Sequence, residues 1–531
     1  MFKLTKPAFN FKKRSPQPVV AETAQSNSQD PLLTAQPTAK KHKFWPEKKS
    51  KQILLIVGMV LLVLLSAVGA IGAYSYSVTK QLQTQGNQLQ AQVRSAYDQF
   101  KAQNLPGTET ALVEAKTQLQ TVKQTYSKLK LYNSLPFLNK YYQDGEAGLA
   151  AAESGLEAAV VAAKAITPYA DILGFEGEAT FAGGTAEDRI GLLLQTLAMV
   201  VPQLDEIEQN LEQAQSQLNS IDPNRYPEEF KGMAIRSSLV SAQESADQGL
   251  TLLTKFRPVI EQLPTIAGGK ERKKYLILFQ NNNELRPTGG FLTAYAIIFI
   301  ENGKVTPEKS DVIYELDKKF SQRIPIPESL GRYLTTEKYW HLRDMNISPD
   351  FKLSMDTFFE YYSQVRGEPD NIDGIIALDT DVLTRLLEIL GPVEVVGYGT
   401  FSAETDPRCD CPQVVYALSE IITRPTPYLR EDRKGILGPM MQAILQKTYQ
   451  APKQYWSDMF TMIWDMTNAK SLQLYFLDDK AQLAAENANA AGRMIPPENS
   501  DFIAIVDANL GGAKSNLFTS YSVLQTINGP V

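Results

Sequence analysis

The chain has almost no histidine. Two of its 531 residues are His, and one of them, His42, lies in a polar N-terminal stretch that cannot bury enough apolar surface to fold alone. His341 is the one left for a folded domain. A multi-histidine metal site is therefore excluded, and a Ser-His-Asp or Cys-His arrangement would have to use His341. Cysteine is equally scarce, with Cys409 and Cys411 alone. Two thiols cannot complete a four-ligand zinc site, and C-x-C is shorter than the usual C-x-x-C redox spacing. The pair reads as free thiols or as a local disulfide closing a loop. A strong net charge is missing as well, at −6. Any chemistry must rest on carboxylates, arginine, lysine and a bound ion.

What charge there is lies unevenly. Residues 1–52 hold eleven Lys or Arg against three Asp or Glu, which leaves −14 on the remainder. An acidic main body predicts no nucleic-acid partner. Residues 1–52 read as a disordered basic tail, with Lys40, Lys41, Lys43, Lys48, Lys49 and Lys51 crowding toward its end. Residues 53–74 then run 22 positions without a charge, about 33 Å of helix, enough to span a bilayer core. The lysines on its N-terminal side place the tail in the cytoplasm. Trp45, Tyr74 and Tyr76 stand where interfacial aromatics belong. The expectation is a single-pass membrane protein with an extracytoplasmic main body.

Residues 77–265 predict an extended helical bundle or stalk. Leu82, Leu89, Val93, Tyr97 and Phe100 form one apolar stripe, and Leu112, Leu119, Val122, Tyr126 and Leu129 form another. The turn at residues 104–107 joins them as an antiparallel pair. Further helices are expected over 146–166, 186–221 and 228–262, with a loop at 174–184. A coiled coil binding a protein partner is the alternative to a plain stalk.

Residues 270–531 change character. Strand patterns at 275–279, 291–300, 311–316, 372–378, 393–398 and 502–507 alternate with helical patterns at 353–366, 380–390, 413–422, 434–449, 452–467 and 479–491. The mixture predicts an α/β/α-type mixed-sheet domain, so the chain is α+β overall. Its centre is the stretch YLILFQNNNELRPTGGFLTAYAIIFIENGKV, residues 275–305. This reads as strand, polar loop, strand, and an Asn302-Gly303 hairpin turn. Arg286 in the loop offers a planar fork for phosphate or carboxylate; a structural turn with a surface Arg is the alternative. Two other polar segments stand out. In the first, residues 343–351, Asp344 and Asp350 are candidate oxygen ligands for Mg²⁺ and Arg343 is a phosphate partner, unless Asp350 only caps the helix that follows and Arg343–Asp344 is a surface ion pair. In the second, Arg430, Arg433 and Lys434 precede a helix whose N-terminus they oppose, which a bound anion would reconcile; a solvated charged face is the alternative.

The segments YLILFQNNNELRPTGGF, RDMNISPDF and NIDGIIALDTDVLTRLLEILGPVEV resemble bacterial domain-of-unknown-function family 4012 over about residues 270–520. The resemblance implies a single-pass, extracytoplasmic protein. The chain closes on the strand-like residues 519–531 without a further element, whereas members of that family continue past this point. The order of features is also similar to the LytR-CpsA-Psr proteins, which transfer glycopolymers from a polyprenyl-pyrophosphate carrier to the cell wall with Mg²⁺. By that likeness Arg286 takes the place of their first-loop arginine. Residues 372–395 match their strand–helix–strand segment, with Gly391-Pro392 for a glycine pair, and Arg430, Arg433 and Lys434 stand for their pyrophosphate-binding arginines. Their first-loop aspartate is replaced by Asn281, Asn282, Asn283 and Glu284. Their Ser-Ile-Pro-Arg-Asp segment falls near Ser310-Asp311-Val312 without its arginine, a pair that Arg343 and Asp344 can supply. What the likeness implies is a phosphotransferase with Arg286, Arg343 and Asp344 catalytic, Arg286, Arg430, Arg433 and Lys434 on pyrophosphate, and Asp344 and Asp350 on Mg²⁺. The competing expectation is a non-enzymatic surface scaffold that holds a cell-wall polymer or a partner.

Overall fold

The computed structural model describes residues 47–167, 186–423, 435–452, 455–511 and 514–526. The basic tail up to residue 46, the loop expected at 174–184, and Arg430, Arg433 and Lys434 lie outside them. The chain divides into two compact units, Met1–Gly72 and Ala73–Val531.

Five long helices come first: α1 (Glu47–Lys101), α2 (Leu105–Ser127), α3 (Asn139–Ile166), α4 (Ala186–Asn219) and α5 (Arg236–Ile266). Two described helices are long and apolar enough to cross a membrane: Met59–Lys101, with mean hydropathy 1.9, and Ile190–Arg225, with 1.3. Their surroundings separate them. None of the apolar window of the first is buried, whereas 22% of the second is, and α4 shares a core with α3 and α5 through Ala158, Leu204 and Ile207. The first is the candidate membrane span.

The turn between α1 and α2 forms as its sequence predicts, because the Asn104 side chain caps α2 by accepting from Gly107 N at 2.9 Å. The inward face of α1 does not follow the expected stripe. Val93, Tyr97 and Phe100 are exposed, while Val78 and Ala96 are buried and Leu82 and Leu89 half-buried. The neighbouring surface is built of Ala111, Ala115 and Ala163, and such small side chains let Ala96 approach closely where a tyrosine would not fit. Gln85 and Gln92 lie on the same helical face at spacings of three and four, and their polarity hides the seam from an apolar count. The helix expected from residue 228 begins only at Arg236. Before it stands a hairpin of β1 (Glu229–Phe230) and β2 (Met233–Ala234), turned by Lys231 and Gly232 at φ 50° and 78°.

The sheet domain is built on β3 (Lys273–Asn281), β4 (Phe291–Glu301), β5 (Lys304–Val312), β6 (Gly374–Leu378) and, after four short strands, β11 (Leu472–Phe476). Their order is β11-β6-β3-β4-β5. The β3–β6 pair is parallel and the rest are antiparallel. The fold is thus a mixed α+β one, with long helices followed by a five-stranded mixed sheet and its helices. Residues 311–316 do not form one strand: β5 ends at Val312 and α6 (Ile313–Lys319) follows, with Ile313 and Leu316 buried at helical spacing. Residues 502–507 join no strand among the described residues, and β11 escapes sequence reading because its alternation buries a glutamine, Gln473.

Successive residues of each strand serve opposite faces. Leu276, Leu278, Tyr295, Ile297 and Ile375 pack against α6, α7 (Glu328–Gly331) and α8 (Phe351–Tyr362). Tyr275, Ile277, Ala296 and Ile298 turn the other way, toward Ala481 and Ala485 of α13 (Asp479–Asn487). On that second side also lie α9 (Thr380–Leu390), α10 (Gln413–Thr423) and α11 (Leu437–Gln450), which share a core with the hairpin β7 (Val393–Val395) and β8 (Gly399–Phe401). The short pair β9 (Thr405–Asp406) and β10 (Cys411–Pro412) precedes α10, and α12 (Trp456–Asn468) follows α11. Cys409 and Cys411 form a disulfide.

The Asn302-Gly303 turn is a joint between helices and sheet. Asn302 N and Gly303 N donate to Gly268 O and Ala267 O at 2.9 and 2.8 Å, and a Cβ on Gly303 would overlap Ile190 of α4. Gly303 also sits at φ +77°. Gly303→Ala should lower stability by about 1–3 kcal/mol, from left-handed strain and overlap together. In an Ile190→Ala background most of the overlap should go, leaving the tight Cβ contact at 3.1 Å and the backbone part, which denaturant melts of the four chains will separate.

Candidate functional site

The polar loop between β3 and β4 is a buried lattice. Gly290 lies so close to the Asn281 backbone that a Cβ would overlap it, which only glycine permits. Thr288 Oγ1 donates to Gln280 Oε1 at 2.6 Å, Asn346 Nδ2 donates to Thr288 Oγ1 and Gly290 O, and Gln473 Nε2 donates to Thr288 O at 2.7 Å. The C-terminal segment closes over the loop: Asn509 N donates to Leu285 O, and Leu285 N to Asn516 Oδ1 at 3.2 Å.

Arg286, Arg343 and Asp344 come together there. Arg286 is 6% exposed and stacks over Phe291 at 5.0 Å. Its Nη2 lies 3.5 Å from Glu284 and 3.8 Å from Asp344, and its Nη1 donates to Asn509 O. Arg343 donates to Asp317 at 2.7 Å and to Glu337 at 2.9 Å, with its Nε 3.4 Å from Asp344. His341 meets the same Glu337 at 3.1 Å. Two guanidinium groups thus stand among four carboxylates. Burial pushes the Glu284 and Asp344 carboxyls above their ordinary range, against the pull of the arginines. An incoming phosphate would meet an acidic field: Arg343 is engaged on both Nη atoms, and Arg286 faces two carboxylates although its buried Nε has no hydrogen-bond partner among the described residues.

Asp350 is placed differently. It caps α8 by accepting from Leu353 N at 3.2 Å. It also takes Arg493 Nε at 3.0 Å and Met494 N at 3.1 Å on Oδ2. With Asp350 saturated by donors and Asp344 held by arginines, the two aspartates do not fit a Mg²⁺ ion. No group of three or more His, Cys, Asp or Glu that could hold a metal stands among the described residues. The capping alternative describes Asp350 as it stands.

Beside this network the sheet is hollow. Between its second face and α9, α10 and α11 lies a cavity of about 420 Å³. Of its 28 lining residues 20 are apolar, among them Phe279, Ile376, Leu378, Leu383, Met440 and Ile444. The polar ones are Gln280 and Asn281 at the end of β3, Asn283 from the loop that follows, and Thr293, Asp379, Thr380, Ser419 and Lys514. The Lys514 Nζ is buried and has no hydrogen-bond partner among the described residues. Burial pushes its ammonium below the ordinary lysine range, opposed by the Glu284 and Glu420 carboxylates. Lys514 thereby links the cavity to the Arg286 network through Glu284. Asp379 caps α9, accepting from Asp381 N at 2.9 Å; burial, then the Asp381 charge, push its carboxyl up to about 6.

Sequence reasoning noted the asparagines only as replacements for a loop aspartate, and missed Lys514 and Asp379. Asp379 had a signal, an acidic residue at the carboxyl end of a strand and the head of a helix. Lys514 had none, since its place depends on a fold-back of more than 200 residues.

Residues 270–406 match the model of a family described as a protein of unknown function (DUF4012). The matched stretch holds β3 to β9, the β3–β4 loop and the two arginines with their four carboxylates, but not Gln473, Asn509 or Asn516, and stops short of the expected residue 520. No curated protein and no solved structure matches the chain, and these results supply no link to LytR-CpsA-Psr transferases.

Arg286→Met should cost about 3–5 kcal/mol, because it removes the buried charge that Glu284 and Asp344 share and leaves them with Lys514 and Arg343 for counter-charge. Those carboxyls already hold their protons above the ordinary range, so the deficit in urea melts should shrink as pH falls and they neutralise. Asp379→Asn keeps the cap. The folded Asp379 retains its proton to about pH 6 while the unfolded side chain, at 3.8, loses it earlier, so wild-type stability declines as pH rises from 4 through 6. The variant should melt on the order of 1–3 °C above wild type at pH 8 and level with it at pH 4.

Proposed function

We propose that the chain is a membrane-anchored, extracytoplasmic cell-envelope protein that takes up the apolar chain of an envelope lipid and holds its phosphate-type head at Lys514. The anchor is the uncharged run 53–74, with the basic tail on the cytoplasmic side. The Cys409–Cys411 disulfide suits an oxidising compartment. On this reading the C-terminal domain is an α/β/α sandwich, with the cavity between its sheet and one helical layer.

The observation that carries the proposal is the cavity. It is apolar, within the range of about 300–1,000 Å³ common for small-molecule sites, and polar at one end, where the family's own residues Asn281 and Asn283 line it. A desolvated lysine beside amide and hydroxyl groups is a receptor for one anion. Glu284, with its raised carboxyl pKa, gives up its charge more readily when that anion arrives.

Transfer of a polyprenyl-pyrophosphate-linked polymer is the stronger claim. It would use Arg286, Arg343 and Asp344, with Arg430, Arg433 and Lys434, which precede the cavity-lining Ile436 in sequence. The salt bridges of both described arginines favour binding over transfer, and no step is assigned to Mg²⁺. The scaffold alternative draws on the exposed Val93 and Tyr97 face of α1, where a protein partner would sit.

The test is capture of a long-chain polyprenyl phosphate by the full-length protein in lipid nanodiscs, with polyprenol as the uncharged control. Met440→Trp, which fills the cavity, should weaken both ligands at least about tenfold, or 1.4 kcal/mol. Lys514→Ala should weaken the phosphate alone to a similar extent. Unchanged binding by Met440→Trp would sink the cavity reading, and equal loss of both ligands in Lys514→Ala would sink the head-group assignment.

A further inference from the structure

One end of the helical region carries two exposed apolar tips. The first is the connection between α2 and α3, residues 128–138, with the first turn of α3. It exposes Leu131, Leu135 and Phe137, the last at 89%, among Lys128, Lys130 and Lys140. Tyr132 in this connection shares a hydrogen bond with the Ser75 hydroxyl, and Ser75 follows directly on the uncharged run 53–74. From Ser75, α1 runs out to Lys101, and α2 returns over a similar length, so the hairpin ends beside the place where that run stops. The second tip is the β1–β2 hairpin, where the exposed Phe230 and Met233 flank Lys231. It belongs to the same end. Arg225 and Tyr226, just before it, both bind Asp144 in the opening turns of α3, and the Tyr226 ring meets Tyr141 edge-on at 5.5 Å.

We propose that both tips insert into the outer interface of the bilayer that α1 crosses, giving the protein three membrane contacts in place of one. The inference rests on the reading of residues 53–74 as the span. Its partner is a phospholipid surface. Aromatic and aliphatic side chains interleaved with lysines are the composition of an interfacial segment, with apolar groups below the headgroups and ammonium groups level with the phosphates. Lys128, Lys130, Lys140 and Lys231 outnumber the acidic residues at the tips, where Glu228 pairs with Arg236 and Glu229 remains, so anionic lipid is favoured. A protein partner would not account for two separate tips at the level of Ser75. The sheet domain, joined through the 31 residues of α5, then stands about 46 Å along that helix from the hairpin tip.

The test uses the full-length chain in liposomes of phosphatidylcholine with and without phosphatidylglycerol. Single cysteines are introduced at Val63→Cys, Phe137→Cys, Phe230→Cys and Tyr333→Cys and labelled with an environment-sensitive dye; the native pair is already a disulfide. The dyes at 137 and 230 should emit at shorter wavelength and be quenched by a nitroxide placed at the headgroup level, more strongly with the anionic lipid. The dye at 333, on an exposed residue of the sheet domain, should report water. Quenching at 63 with water-like emission at 137 and 230 overturns the interfacial tips and leaves the anchor standing. Dry but unquenched dyes at 137 and 230 mean a protein partner and overturn the proposal. Absence of deep quenching at 63 overturns the anchor and the tips together.

Discussion

A guanidinium buried to 6% exposure sets the terms for the sheet domain. Taking such a charge out of water costs several kcal/mol, which only close counter-charges and hydrogen bonds offset. Arg286 finds them on three separate pieces of chain: Glu284 in its own loop, Asp344 in the turn before α8, and the Asn509 carbonyl near the C-terminus. Displacing any one of them leaves a charge or a carbonyl stranded. Arg286, which looked like part of a phosphate clamp, locks these three pieces of chain together, and its partner Glu284 also feels the charge of Lys514 at the edge of the cavity.

The two faces of the sheet divide the work. One face is filled by Leu278, Tyr295, Phe351 and Phe358, large side chains that interlock to the density of an ordinary interior. The other meets α13 through alanines and glycine-tight turns at one end, and at the other end stands away from α9, α10 and α11. The apolar chain proposed above would supply the dispersion contacts that this lining can make.

Much of the domain could be read from local pattern. The β3–β4–β5 hairpins announce themselves by apolar runs and by Asn302-Gly303, and α9 begins and ends where the periodicity says it should. The loop motif was recognisable, yet its chemistry could not be read, because Asp344 and the Asn509 carbonyl reach Arg286 only through the fold. Charges neutralised at a distance look the same in sequence as charges awaiting a ligand. The inward face of α1 was misread for a related reason: Ala96 and two glutamines carry it, and an apolar count favours Tyr97. Lys514 lay beyond any local signal.

The parallel pairing of β3 with β6 also orders events in time. Hairpins close within a few residues, whereas Tyr275 must wait for Gly374, about 100 residues later, and loop closure over that length is entropically slow. The hydrogen bond from Arg286 to Asn509 spans 223 residues. A chain emerging from its N-terminus would therefore have its long apolar helix and bundle well before the sheet is complete, and the arginine lock would shut last. Until then the central strands expose apolar faces and free edges, the features that draw nascent chains into aggregation. If residues 53–74 span a bilayer, as proposed, tethering there would keep each unfinished domain apart from its neighbours during that interval.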